Sequence, residues 1–272
     1  MTVYLAYGPQ GSGKTYFSLS GTGRKWYGEF DPGGFERSGA DPDDPNIEVH
    51  RYPPPLQSLL ELGKLDLQSV GRTGSGGVQV SYKLVGWQET FWQGFITDYM
   101  QALSGDFTDF ILDTNKMEWE MCRNAFRQRV QEETDLDEQR RLTRLDYATP
   151  NEHQTQIIQG AKARGKNLIM VAHEKGEWKN NEPTGRQVPD GWKEAEDFAD
   201  IALRFFVRDK RPVGVIYKAA SGGLDLIDME VVEPTIDKMD TLIRAATALR
   251  RAGIPLAGMD AEAIVQTAEM VQ

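Results

Sequence analysis

The chain has 272 residues, and its 39% hydrophobic and 10% aromatic content can form a core, which excludes disorder throughout. Its formal net charge is −10, from 31 Lys and Arg against 41 Asp and Glu, which argues against DNA binding through overall charge. The single cysteine, Cys122, fits a reducing compartment. No secretory signal and no apolar run of about 20 residues is present, so we predict a cytoplasmic protein with no membrane partner.

The first thirty residues predict the opening of an α/β fold. Residues 2–7 alternate β-branched and aromatic side chains, a pattern typical of a buried strand. A glycine-rich turn follows, then a helix over 15–20 and a second strand over 25–31. A strand, a glycine-rich loop, a helix and a strand in this order favour a mostly parallel sheet flanked by helices.

Residues 32–86 have a different composition, rich in proline and glycine. Because proline and glycine interrupt regular elements, we predict that this segment is an insertion or elaborated connection, with strands only over 47–52 and 78–85. The glycine-rich run 72–77 lacks the Lys and following Ser or Thr of a phosphate loop, so we interpret it as a flexible hairpin tip.

The rest of the chain continues the alternation of helices and strands. Thr149, Pro150 and Glu152 predict a helix start with Thr149 as N-cap, and Gly165 predicts its end. Residues 174–190 are polar and contain Pro183, Gly185 and Pro189, so we expect a loop there. The predicted helices are 87–103, 117–130, 132–144, 193–198, 236–251 and 260–271, and the predicted strands are 107–113, 167–172, 201–207 and 213–218.

One motif carries specific chemistry. The phosphate-loop pattern G-x-x-x-x-G-K-[ST] is matched at every constrained position by Gly8, Pro9, Gln10, Gly11, Ser12, Gly13, Lys14 and Thr15. It lies between a strand and a helix, where backbone N–H groups and the helix N-terminus can bind phosphate. We predict that Lys14 reaches the β- and γ-phosphates of ATP and that the Thr15 hydroxyl binds Mg²⁺.

Carboxylates and a histidine at predicted strand ends are the other candidate site residues. Asp113 follows three apolar residues at the end of its strand, where the acid that holds the magnesium shell belongs. Glu29 or Asp31 could activate water at the end of the second strand, and Asp31 is the nearer to the carboxyl end. His173 follows the strand 167–172 and could sense the γ-phosphate.

Several segments together resemble the RecA-like P-loop ATPases carried by bacteriophages, a group that includes single-strand-annealing ATPases. The matching segments are GPQGSGKT, FDPGG, FILDT, NLIMVAHE, DFADIALRF and VGVIYKAASGG, and their order and approximate spacing agree with the family over residues 2–223. The resemblance implies a RecA-like ATPase domain over 1–223, with 32–86 outside its compact core, and a helical extension over 224–272. It also implies a homo-oligomer that uses ATP and Mg²⁺ on single-stranded DNA. The nucleotide is then bound by residues 8–15, magnesium by Asp113, and the phosphate is sensed by His173.

The resemblance places a DNA-contacting loop at 174–190, where Trp178, Lys179 and Arg186 offer a stacking surface and two cations. Two other functions stay open. A P-loop kinase for a small molecule would need a lid, which Arg140, Arg141 and Arg144 could form. A packaging or assembly motor would use an arginine in trans, for which the candidates are Arg208, Arg211, Arg244 and Arg250.

Overall fold

The computed structural model describes residues 1–52, 70–72, 78–80, 87–134, 145–220 and 224–271. The strands are β1 (Val3–Gly8), β2 (Lys25–Glu29), β3 (Ile47–Arg51), β4 (Val70–Arg72), β5 (Val78–Val80), β6 (Asp109–Asp113), β7 (Asn167–Lys179), β8 (Glu182–Asp190), β9 (Ile201–Arg208), β10 (Arg211–Ala219) and β11 (Glu230–Val232). The helices are α1 (Lys14–Leu19), α2 (Gly34–Arg37), α3 (Trp87–Leu103), α4 (Asn115–Thr134), α5 (Ala148–Ala163), α6 (Ala195–Phe198), α7 (Ile236–Arg251) and α8 (Ala261–Val271). Short 3₁₀ turns occupy Leu145–Tyr147 and Leu224–Leu226.

Within the described part of the chain, nine strands form one sheet in the order β11-β10-β9-β1-β7-β6-β2-β3, and β8 pairs with β7. The central pairings, from β9 through β1, β7, β6 and β2 to β3, are all parallel. Strands β10, β11 and β8 are antiparallel to their neighbours. The predicted α/β class with a mostly parallel sheet flanked by helices is therefore confirmed.

The central strands are buried on both faces, and this explains their nearly continuous apolar sequences. In β1 all six residues are buried, and alternate side chains belong to two separate cores. Val3, Leu5 and Tyr7 pack in the core that also contains side chains of α3, α4 and α5. Tyr4 and Ala6 face the other core, to which α1, α7 and α8 contribute. Because both faces of the sheet are covered, a site can form at the ends of the central strands, and the candidate site lies at their carboxyl ends.

Strand β3 shows that part of the segment predicted as an insertion, residues 47–51, belongs to the main sheet. It pairs in parallel with β2, from Lys25 opposite Ile47 to Glu29 opposite Arg51. The prolines that favoured an irregular connection, Pro42 and Pro45, lie before the strand and not in it. Strands β4 and β5 form a separate antiparallel pair. Of the expected tip at 72–77, Arg72 is the last residue of β4, while 73–77 lie outside the described residues, as do 53–69 and 81–86.

The predicted N-cap of α5 is wrong. The helix has Tyr147 as its N-cap, with φ −78° and ψ −10° and no side-chain capping bond, because the preceding 3₁₀ turn leads directly into it. An N-cap side chain normally needs an extended backbone. Thr149 and Pro150 instead lie inside the first turn, where the missing N–H of proline costs little. The predicted end is confirmed, since Gly165 follows the helix with φ 68°.

The expected polar loop at 174–190 is also wrong, because these residues form a β-hairpin. Strand β7 continues to Lys179, and β8 pairs with it from Lys179 opposite Glu182 to His173 opposite Asp190. The turn consists of Asn180 and Asn181, both with positive φ, which suits a two-residue hairpin turn. Prolines are tolerated because β8 is paired with β7 alone among the described strands.

Candidate nucleotide-binding site

The candidate site lies at the carboxyl ends of the parallel strands β1, β6 and β2, where β7 passes between β1 and β6. Gly8 at the end of β1 is opposite His173 of β7, Asp113 at the end of β6 is opposite Val171, and Glu29 at the end of β2 is opposite Asp113. Strand β7 thus separates the strand that leads into the phosphate loop from the strand that carries Asp113. Parallel pairing brings together residues that are far apart in sequence.

The phosphate loop needs two of its glycines for close packing. A Cβ atom on Gly8 would lie 2.3 Å from the carbonyl oxygen of Phe205 on β9. A Cβ atom on Gly13 would lie 2.6 Å from the Cβ of Pro212 on β10, and Gly13 has φ 94° at the N-cap of α1. Strands β9 and β10 therefore pack directly against the loop backbone. A residue larger than glycine at position 8 or 13 would displace that backbone.

Lys14 is held inside the loop. Its side chain is buried, and Nζ donates hydrogen bonds to the carbonyl oxygens of Gly8 at 3.0 Å and Pro9 at 2.7 Å. Burial lowers the pKa of Lys14, while the negative charges of Asp113 and Glu174 act in the opposite direction. The ammonium group is thus placed among loop carbonyls with little room to move away.

Asp113 accepts hydrogen bonds from two hydroxyl groups. Thr15 Oγ1 donates to Asp113 Oδ2 at 2.9 Å, and Tyr27 Oη donates to the same oxygen at 2.6 Å. Burial raises the pKa of Asp113, and the two hydrogen bonds and the charge of Lys14 counteract that rise. The peptide bond between Asp113 and Thr114 is cis. The predicted pair of Thr15 and Asp113 is in direct contact.

Glu29 and Asp31 have different surroundings. The Glu29 side chain is 2% exposed, and its two oxygens accept hydrogen bonds from the backbone N–H of Phe35 at 2.9 Å and from Arg51 Nε at 3.0 Å. Asp31 is partly exposed, lines the cavity next to the loop, and pairs with Arg37 at 2.9 Å. Of the two alternatives, Asp31 has the position from which a carboxylate can reach water in the cavity.

A cavity of about 530 Å³ lies next to the loop and gathers most of the predicted site residues. His173 lies on its wall, at the point where β7 passes the end of β1. Its described lining comprises Gln10, Gly11, Ser12, Gly13, Lys14, Thr15, Tyr16, Asp31, Gly34, Arg37, Ser38, Asp113, Thr114, Val171 and His173. The volume falls within the range of small-molecule sites.

Other predicted residues lie away from this cavity or outside the described chain. Trp178 lies on the β7–β8 hairpin and is 68% exposed, while the guanidinium of Arg186 stacks on the ring of Tyr217 at 4.8 Å. Arg140, Arg141 and Arg144, the possible kinase lid, lie outside the described residues. Within the described ranges, no group of three metal-binding side chains occurs, and no helix is both long and apolar enough to cross a bilayer.

Two residues of the site were missed by the sequence analysis. Tyr27 looked like one more apolar residue of β2, but its hydroxyl group contacts Asp113. Arg37 falls in a segment interpreted as a connection, but it lies on α2 and lines the cavity. The positive charge of Arg37, a few residues after the second predicted strand, was a weak sign of a site residue. No local pattern distinguishes Tyr27 from a tyrosine of the core.

The fold and loop together define an α/β protein in which a loop with the phosphate-loop sequence pattern lies at the carboxyl ends of a parallel sheet. No family model matches the chain, and no curated protein matches it in sequence. Among solved structures, 182 chains match. One of them, described as the crystal structure of the RadB recombinase, has a TM-score of 0.45 and 13% sequence identity, and the match covers 85% of this chain and 86% of that chain.

Proposed function

We propose that this protein binds ATP with Mg²⁺, hydrolyses it, and acts on single-stranded DNA in recombination, annealing or replication, as the resemblance to phage RecA-like ATPases implies. The observation that carries the nucleotide part is the direct contact between Thr15 and Asp113, 2.9 Å apart, beside a lysine held within a complete phosphate loop. An ordinary glycine-rich turn requires neither that pairing nor a buried lysine.

The residues present fit ATP and Mg²⁺. The glycines keep the loop backbone free of side chains, and α1 begins at Lys14, so N–H groups are available for phosphate oxygens. Thr15 and Asp113 supply hydroxyl and carboxylate oxygens, the hard ligands that Mg²⁺ prefers. When bound, the metal would neutralise phosphate charge, and Lys14 would add a fixed positive charge.

For hydrolysis, this chain contributes groups that can orient water and respond to phosphate. We assign the water-activating role to Asp31, because it lines the cavity while Glu29 is bonded to Arg51 and to the backbone of α2. His173 is assigned to phosphate sensing, because it lies on the cavity wall next to Gly8. Both assignments follow from the positions of these residues in the cavity lining.

The central test is steady-state ATP hydrolysis with and without single-stranded DNA. We expect Lys14→Ala to reduce nucleotide binding and turnover by at least about 100-fold, since it removes a buried charge contact to phosphate. The matched control is Lys193→Ala, an exposed lysine away from the cavity. Unchanged ATP affinity in Lys14→Ala would refute nucleotide binding at this loop.

The response to DNA separates the alternatives. Stimulation of hydrolysis by single-stranded DNA supports the proposal. Phosphate transfer to a nucleoside or sugar would instead identify a kinase, and stimulation only by a protein assembly would identify a motor. The resemblance also implies a homo-oligomer, which light scattering with and without ATP and DNA would measure.

The β7–β8 hairpin is the proposed DNA contact. Trp178 offers an exposed aromatic face, and base stacking on such a ring contributes about 1–3 kcal/mol per base. We expect Trp178→Ala to weaken single-stranded DNA binding by about 5- to 100-fold, measured by fluorescence anisotropy at fixed salt. Met100→Ala, which truncates an exposed apolar side chain on α3, is the control. Equal DNA affinity in the two variants would remove the hairpin from the interface.

A further inference from the structure

Arg37 is a cavity residue to which no role has been given so far. It is the last residue of α2, and its side chain is 50% exposed. Its Nη2 donates to Asp31 Oδ2 at 2.9 Å, and its Nη1 donates to the carbonyl oxygen of Pro32 at 3.0 Å. Among the described lining residues, Arg37 and Lys14 carry the fixed positive charges.

Helix α2 is firmly attached beside Asp113. Phe35 is buried and its N–H is bound by Glu29, while Arg51 bridges Glu29 and Glu36 at 3.0 and 2.6 Å. A Cβ atom on Gly34 would lie 3.5 Å from Asp113 Oδ2, so the helix start packs against that carboxylate. The base of Arg37 is therefore fixed near the proposed magnesium ligands, whereas its guanidinium is half-exposed and can change partners.

The two cations of the cavity differ in what holds them. Lys14 is buried and bonded to carbonyl oxygens of its own loop. Arg37 is held by one partly exposed carboxylate and one carbonyl, and exposed ion pairs of this kind contribute little stability. An incoming phosphate, with more negative charge and three acceptor oxygens, can therefore compete with Asp31 for the guanidinium.

We propose, on the basis of the function proposed above, that Arg37 binds the γ-phosphate of ATP and that its ion pair with Asp31 is a latch that the γ-phosphate opens. Without that phosphate, Arg37 remains paired with Asp31, and the Asp31 carboxylate is not free to bind water. When Arg37 turns to the γ-phosphate, Asp31 is released to accept a hydrogen bond from water. ADP lacks the competing group, so it leaves the pair closed.

Nucleotide affinities test this role without relying on turnover. The affinities for ATP and for ADP, both with Mg²⁺, would be measured by calorimetric titration of the unmodified full-length chain and of the variants Arg37→Ala and Arg37→Lys. We expect Arg37→Ala to weaken ATP binding by about 10- to 100-fold and ADP binding by less than about 3-fold, as loss of one charge-assisted contact predicts. Arg37→Lys keeps the charge but not the two-pronged geometry and should lie between.

The control is Arg24→Ala, a partly exposed arginine that is paired with Glu48 and Asp106 and precedes β2 at the end away from the cavity. It should leave both affinities unchanged. Equal losses of ATP and ADP affinity in Arg37→Ala, or no loss of either, would overturn the γ-phosphate role.

Asp31→Asn tests the latch itself. Because it frees Arg37, ATP affinity should rise about 2- to 5-fold while ADP affinity stays the same. A fall in ATP affinity would overturn the latch. Failure of this inference is distinguishable from failure of the proposed function, because Lys14→Ala reports on ATP and ADP binding together. If Lys14 matters for both nucleotides and Arg37 does not discriminate between them, only the inference fails.

Discussion

Two buried carboxyl groups on consecutive elements show how differently this protein treats the same chemical group. Asp113 ends β6 at the cavity, where Thr15 and Tyr27 donate hydrogen bonds to it and Lys14 lies nearby. Glu118 lies in the first turns of α4, fully buried. One of its oxygens accepts a hydrogen bond from Gln154 Nε2 at 2.5 Å, and the other has no partner in the described part of the chain.

The difference shows that burial of an acid does not by itself define a functional site. Burial raises the pKa of both groups, but hydroxyl donors and a cation counteract the rise for Asp113. For Glu118, burial raises the pKa from its ordinary value of 4.5 to about 8, with only the Gln154 hydrogen bond opposing it. The pKa of Asp113 stays raised, but three neighbouring groups stabilise its anion, whereas Glu118 has one such neighbour and holds a proton at neutral pH.

The strongest test of this comparison removes each charge in turn. Asp113→Asn should lower magnesium-dependent ATP hydrolysis by at least about 100-fold while ATP still binds, because even an indirect partner of a metal ligand is worth about 10- to 100-fold. Glu118→Gln should leave turnover within about 2-fold, since Glu118 lies away from the cavity lining. Equal hydrolysis in Asp113→Asn and the unmodified chain would move the magnesium site elsewhere.

Tyr27→Phe sharpens the comparison by removing one donor from Asp113. Because the Tyr27 hydrogen bond lowers the pKa of Asp113, its loss should raise that pKa further and shift the acidic limb of the pH–rate profile to higher pH. We expect about a 10-fold loss of turnover near neutral pH.

The matched control for this variant is Tyr52→Phe. Tyr52 is another buried tyrosine whose hydroxyl group donates to an aspartate, Asp98 at 2.9 Å, but it lies outside the cavity lining. An unshifted pH–rate profile in Tyr27→Phe would mean that this hydroxyl group does not tune Asp113.

The smallest expected effect concerns stability and Glu118. The folded-state pKa is raised, so between about pH 4.5 and pH 8 the folded chain keeps a proton that the unfolded chain releases. The free energy of unfolding should therefore fall as pH rises through this window, by up to about 1.4 kcal/mol per pH unit. In Glu118→Gln that slope should flatten, and the variant should be the more stable chain at pH 8.

Urea unfolding at several pH values would measure this slope. Glu120→Gln, a change on the same helix, is the control and should keep the slope of the unmodified chain. A falling slope that persists in Glu118→Gln would assign the pH dependence to other groups whose pKa is raised by burial, such as Glu196.

Local sequence was sufficient for the central strands and for the phosphate loop. Spacing of glycines, lysine and threonine over 8–15 predicted the loop, because each of those residue types is required by contacts within one turn. Continuous apolar runs predicted the central strands, because both faces of a parallel sheet are covered. Asp113 could be predicted as a site residue because the carboxyl ends of parallel strands lie side by side. A carboxylate that directly follows an apolar strand is therefore expected close to the phosphate loop.

Contacts between distant segments decided the rest. Whether 174–190 forms a loop or a hairpin depended on the pairing of β8 with β7, which tolerates prolines that local rules count against a strand. The choice between Glu29 and Asp31 depended on Arg51 and Arg37, which come from β3 and α2. The proposed role of Tyr27 follows from its contact with Asp113, and that of Arg37 from the cavity that the phosphate loop, α1, α2, β6 and β7 form together. Local sequence thus determined which groups this protein has, and the tertiary structure decided which of them meet, because partners so far apart in the chain become neighbours only when the sheet is assembled.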